Sequence, residues 1–123
     1  MRDSLWRYWG PLLLYMGVIF YGSAKPRPDA VSNTPDFVLH GAAYFVLALL
    51  SIRALSRGLF HRASSLHLWG GVLIAIVYGA SDEWHQSFVA GRVASVSDLA
   101  YDALGAMLAA LVLLLFWRGR GLR

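Results

Sequence analysis

The sequence predicts an all-α, polytopic membrane protein, with four transmembrane helices in a compact bundle and both termini in the cytoplasm. Three observations carry this expectation. Apolar residues make up 58% of the chain and charged residues 15%, where soluble domains average about 45–50% and about 25%. A soluble domain of 123 residues has too little interior to hide that many large apolar side chains. The basic residues fall in short clusters between apolar runs. In a chain of net charge +4 and pI near 9.9, that distribution points to membrane topology rather than nucleic acid.

A spanning helix needs about 20 mostly apolar residues. Four stretches meet that length, about 5–22, 35–52, 66–82 and 99–117, and together they make one transmembrane domain over residues 1–123. The connections carry loop punctuation: Lys25-Pro26-Arg27-Pro28-Asp29, then the arginine-rich stretch Arg53 to Ser65, then Gln86 to Ser97 around Gly91-Arg92. Trp6, Trp9, Tyr21, Trp69, Trp84 and Trp117 lie near the ends of the runs, where membrane interfaces favour them. Arg2 and Arg7 ahead of a run ending in Gly22-Ser23-Ala24 also fit the outline of a signal sequence. The aromatic content of that run and its Pro11 favour a span.

Orientation follows from lysine and arginine. Arg2, Arg7, Arg53, Arg57, Arg62, Arg118, Arg120 and Arg123 fall on one side, and Lys25, Arg27 and Arg92 on the other. Positive residues stay inside, so both termini and the middle loop are expected in the cytoplasm. Asp29, Asp36, Asp82, Glu83, Asp98 and Asp102 fall at the opposite, outer end.

Ionisable groups in or beside spans are costly in lipid and face the interior by default. Asp36, His40 and Tyr44 are spaced by four residues and share a helix face within about 80°. Tyr78, Asp82 and Gln86 repeat the spacing, with His85 about 60° to one side and Glu83 about 100° to the other. Asp98, Asp102 and Gly105 form a third face, continued by Ala109. All three lie at outer helix ends and can converge on one shallow site. Structural readings stand beside this one. Thr34-Pro35-Asp36 is a good helix start, with Thr34 as the cap, and Ser95 three residues before Asp98 resembles a capping box. Gly105 and Ala109 read better as a packing seam than as a site. His61 and His67 lie in or beside the middle loop and read as solvated. The adjacent Asp82 and Glu83 are different: at a helix C-terminus the dipole opposes them, so they need a cationic partner, a proton or a metal ion.

At these residues the sequence resembles the VanZ-like family of bacterial membrane proteins. The resemblance rests on Asp82-Glu83-Trp84-His85-Gln86-Ser87-Phe88-Val89-Ala90-Gly91-Arg92, then Asp98, Asp102 and Gly105. Upstream, Asp36, His40 and Tyr44 match a second family stretch, and Ser23 matches a serine just after the first span. Phe37 stands where the family commonly has lysine, and Asp102 where asparagine is common. The founding member is associated with low-level teicoplanin resistance, so the resemblance implies a cell-envelope role in the bacterial cytoplasmic membrane.

The function expected first is binding of a membrane lipid or glycopeptide-type amphiphile at the outer leaflet. Its binding residues would be Asp36, His40, Tyr44, Asp82, Glu83, Gln86, Arg92, Asp98 and Asp102. The alternative is an enzyme acting on a lipid-linked substrate, with Glu83, His40 and Asp82 as catalytic candidates and Asp82, Glu83 and His85 as metal candidates. The sequence contains no G-x-S-x-G, H-E-x-x-H or P-loop motif that would name a reaction. A cation-coupled transporter would need a homo-oligomer, and a purely structural polar network stays open. No cysteine is present, which excludes thiolate metal sites and disulfides. Nucleic acid is not expected as a partner.

Overall fold

The computed structural model describes residues 2–25 and 33–121. Pro26, Arg27, Pro28, Asp29 and Arg123, which entered the loop and charge expectations above, lie outside that range. Among the described residues there are four α-helices and no strands. They are α1 (Arg2–Ser23), α2 (Asp36–Ser56), α3 (Ser65–Gln86) and α4 (Val96–Gly119).

Helices α1, α3 and α4 run past the expected apolar boundaries at both ends, and α2 at its C-terminal end, because polar residues complete the end turns. Helix α3 continues through Asp82, Glu83 and Gln86, so these side chains are held on regular backbone. Helix α2 starts one residue later than expected. Pro35, not Thr34, occupies its cap position, with ψ at 145° and no side-chain cap. That extended ψ defers the helix to Asp36, while the Pro35 carbonyl accepts from the N–H groups of Val38 and Leu39. Helix α4 starts at Val96, before the expected boundary, and carries the expected cap, with Ser95 Oγ accepting from the Asp98 N–H at 3.3 Å.

Helix α2 is central and packs on the other three, while α4 packs on α2 and α3. Helix α1 leans on α2 and touches α3 only lightly. Small residues permit the close crossings. A Cβ on Gly105 would strike the carbonyl oxygen of Gly41, and one on Gly71 would strike Ile52. Ala48, Ala106, Ala109 and Ala110 are fully buried nearby, so the Gly105–Ala109 face is a packing seam. Helix α1 is tied to its neighbours by two tyrosine hydroxyls. Tyr15 donates to the Ala43 carbonyl at 2.8 Å and Tyr78 to that of Met16 at 2.5 Å.

One end of the structure brings Arg7 of α1 and Arg53 of α2 together. Arg53 donates to the Arg7 carbonyl at 3.1 Å, which sets the start of α1 beside the end of α2. Buried Trp117 donates through Nε1 to the Leu59 carbonyl at 2.8 Å, joining the end of α4 to the middle loop. Four spans were expected, but among the described residues only α2 and α4 are long and apolar enough to cross a membrane. Arg2, Asp3 and Arg7 in α1, and Asp82, Glu83 and His85 in α3, dilute those helices. Only 33% of each qualifying stretch is buried inside. Leu73, Val77, Leu104, Leu111 and Leu115 all project outward.

Candidate functional site

The three polar faces meet at the end opposite the arginine-rich loop. An open pocket of about 380 Å³ there has Ser23, Asp36, His40, Asp82, Arg92 and Asp98 as its polar lining. Tyr44 completes that lining, and Ile19 and Ala43 are among its apolar walls. Three expected residues, Glu83, Gln86 and Asp102, are buried and bonded to neighbours of the pocket.

The firmest contact crosses from α2 to α4. His40 Nδ1 lies 2.8 Å from Oδ1 of Asp102, which has no solvent exposure. With Asp102 ionised, its carboxylate can only accept, so Nδ1–H donates and the Nε2 face is left for other partners. Nε2 is 3.6 Å from Asp98 Oδ2. This geometry orients His40 as a base would be oriented, or as a metal-ligating imidazole is.

A second contact joins α3 to the start of α4. The Ser95 N–H donates to Glu83 Oε2 at 2.9 Å. In a capping box that N–H is satisfied by the acid three residues on. Here Glu83 takes that part from another helix, which leaves the Asp98 carboxylate to approach His40. Glu83 Oε1 is buried without a hydrogen-bond partner.

Asp82 belongs to a separate group. Its Oδ2 accepts from Gln86 Nε2 at 2.9 Å and from the Tyr44 hydroxyl at 3.5 Å. Gln86 also reaches Ser23 Oγ, at 3.5 Å. The loop that follows places Arg92. The Arg92 N–H donates to the Val89 carbonyl at 3.2 Å, closing a turn in which Gly91 has φ at 80°. Glycine is favoured at that position, and the turn delivers Arg92 to the pocket with its buried Nε lacking a partner. His85 is placed differently, its ring stacked on Phe20 at 4.2 Å. Among the described residues, the acid and histidine ligand atoms that gather are those of His40, Glu83 and Asp98, all within 4.8 Å of one another. The expected set of Asp82, Glu83 and His85 does not gather in this way.

Sequence reasoning missed Gly79 and the backbone of Ser95. A Cβ on Gly79 would stand 2.9 Å from Asp102 Oδ2 and 3.2 Å from Tyr44 Cε1, so its absence makes room for both. The signal was available: Gly79 precedes Asp82 by three residues and Gln86 by seven, on one helix face. Ser23 was tied to the site only through the family resemblance, and the structure buries it on the pocket wall.

The family model described as VanZ/LLP1 matches residues 8–117. No curated protein and no solved structure matches the chain.

Proposed function

The chain belongs to the VanZ/LLP1 family, and from that premise we propose that its pocket binds the polar end of an amphiphile at the outer face of the bacterial cytoplasmic membrane. The carrying observation is that Arg92 and the acids Asp36, Asp82 and Asp98 line one open pocket on a structure that also turns many large apolar side chains outward. A guanidinium pairs bidentately with phosphate or carboxylate, while the carboxylates suit hydroxyl or ammonium groups of the same headgroup. Trp84, Phe88, Val93 and Val96 stand exposed on the pocket loop and its flanks, as suits a segment lying at the lipid–water interface.

In this proposal all four helices cross the bilayer as one domain, with α2 packed on the other three. The arginine-rich end, with both termini, faces the cytoplasm. The chain lacks cysteine, so a single cysteine at Val93 or at Arg62 reads topology directly. Labelling of intact cells by an impermeant thiol reagent at Val93 and not at Arg62 is expected. The opposite pattern refutes the orientation. For the ligand, the test is retention of envelope lipids and glycopeptides by purified protein, comparing wild type with Arg92→Ala and Asp82→Asn. Loss of retention in both variants is expected. Equal retention of every compound by all three proteins overturns the binding reading.

One observation favours a second reading, hydrolysis or transfer on a lipid-linked substrate. His40 is oriented by buried Asp102 and turns Nε2 toward the pocket side, the arrangement used by general bases. Release of product from headgroup-labelled lipid, abolished by His40→Gln, would establish it. Turnover unaffected by that change removes it.

A further inference from the structure

We infer that His40, Glu83 and Asp98 bind one divalent transition-metal ion of the zinc type beside the pocket, held in register by Asp102. The inference stands apart from the amphiphile reading, since it rests on donor geometry alone.

The donors come from three different helices, α2, α3 and α4, and one ligand atom from each lies within 4.8 Å of the other two. His40 Nε2 and Asp98 Oδ2 are 3.6 Å apart. Around a tetrahedral zinc ion with bonds of about 2.1 Å, ligand atoms stand about 3.4 Å from one another. Closing the triangle onto an ion therefore asks side-chain shifts of about 1 Å.

Two of the donors are also committed on their other side. His40 Nδ1 is held by Asp102, which leaves Nε2 as the coordinating atom in the carboxylate–histidine–metal pattern. Glu83 Oε2 is held by the Ser95 N–H. Glu83 is only 8% exposed, and its Oε1 has no hydrogen-bond partner. A buried carboxylate oxygen in that state carries a desolvation cost that a cation relieves.

Charge points the same way. Glu83, Asp98 and Asp102 surround a single imidazole, so with the three carboxylates ionised even a protonated His40 would leave the group with an excess of negative charge. A divalent ion offsets that excess more fully and lets His40 be neutral. The nitrogen donor selects a zinc-like ion over magnesium or calcium, which prefer all-oxygen shells. Three protein ligands leave a fourth position open for water or a headgroup oxygen. With the ion bound, Nε2 is a ligand and not a base, so of the two hydrolytic routes only the metal-assisted one remains.

The test uses full-length protein in detergent, stripped with chelator, freed of lipid and titrated with Zn²⁺ and Mn²⁺. One ion per chain is expected, with a raised unfolding temperature. Glu83→Gln and Asp98→Asn should each weaken affinity at least tenfold, and Asp102→Asn, a positioning change, about 10–100-fold. His85→Ala should bind as wild type does. Pulsed electron paramagnetic resonance of the Mn²⁺-loaded wild type needs no variant and should show one coordinated imidazole nitrogen. Absence of a stoichiometric ion, absence of that nitrogen signal, or affinity unchanged in Glu83→Gln and Asp98→Asn overturns the site. Because no lipid is present, failure here leaves the retention test of Arg92→Ala untouched, and failure there leaves this titration standing.

Discussion

Replacing Gly105 with alanine should open the seam between α2 and α4 and part the His40–Asp102 pair. The added Cβ would lie 2.9 Å from the Gly41 carbonyl carbon and 3.0 Å from its Cα, with the carbonyl oxygen closer still. All three are backbone atoms and cannot rotate away. Unstrained carbon contacts need about 3.5 Å, so the two helices must separate by roughly 0.5–1 Å at this point. His40 precedes Gly41 by one residue, and Asp102 precedes Gly105 by three. A separation of that size stretches their 2.8 Å contact beyond the range of a good hydrogen bond, about 3.2 Å. Overpacking of this kind costs about 1–3 kcal/mol, before the loss of a bond to a charged group, about 1.5–3 kcal/mol. Tryptophan fluorescence melting in detergent reads the stability, and ¹⁵N-histidine NMR reads the Nδ1 proton of His40. The control is Gly17→Ala, whose Cβ would meet nothing within 4 Å and should raise stability by about 0.5–1 kcal/mol. A Gly105→Ala protein that melts as wild type does, with the His40 signal unmoved, refutes the argument.

Other outcomes follow from single contacts. Gly79→Ala meets the Asp102 and Tyr44 side chains rather than backbone; it should cost less stability than Gly105→Ala, about 1 kcal/mol, yet still shift the His40 signal. Tyr78→Phe removes a bond to the Met16 carbonyl and should lower stability by about 0.5–1.5 kcal/mol. Combining it with Tyr15→Phe should free α1 enough to raise hydrogen exchange along that helix. Ser95→Ala loses the Oγ cap on α4, about 1 kcal/mol by thermal melt, while its N–H keeps Glu83. Trp117→Phe removes the bond to Leu59 at the opposite end. It should destabilise by about 1–3 kcal/mol and leave ligand retention at the pocket unchanged.

Spacing alone made the helices and their polar faces legible, because the α-helical repeat is local and the costly side chains must share a face. Ser95 was legible as a cap for the same reason. The partners across helices were not. His40 and Asp102 are 62 residues apart, and their meeting depends on the close approach that Gly105 allows at the α2–α4 crossing. The bond from the Ser95 N–H to Glu83 displaced the local capping box, since a loop that folds back lets a neighbouring helix supply the acceptor. The metal candidates shifted on the same ground. His85 is close to Glu83 in sequence but points to Phe20, whereas His40 and Asp98 arrive from other helices. Counting apolar residues gave four spans, and the structure qualifies two. The polar ends that complete α1 and α3 as helices also lower their mean hydropathy.

The two tyrosines that tie down α1 address main-chain oxygens, one on Ala43 and one on Met16. A carbonyl is present whatever side chain its residue carries. The attachment therefore places no demand of hydrogen-bonding chemistry on positions 43 and 16, and it confines that demand to Tyr15 and Tyr78. Over evolutionary time this wall of the pocket can change its composition, and with it the apolar surface the pocket presents, without loosening its hold on the helices that carry His40 and Asp82.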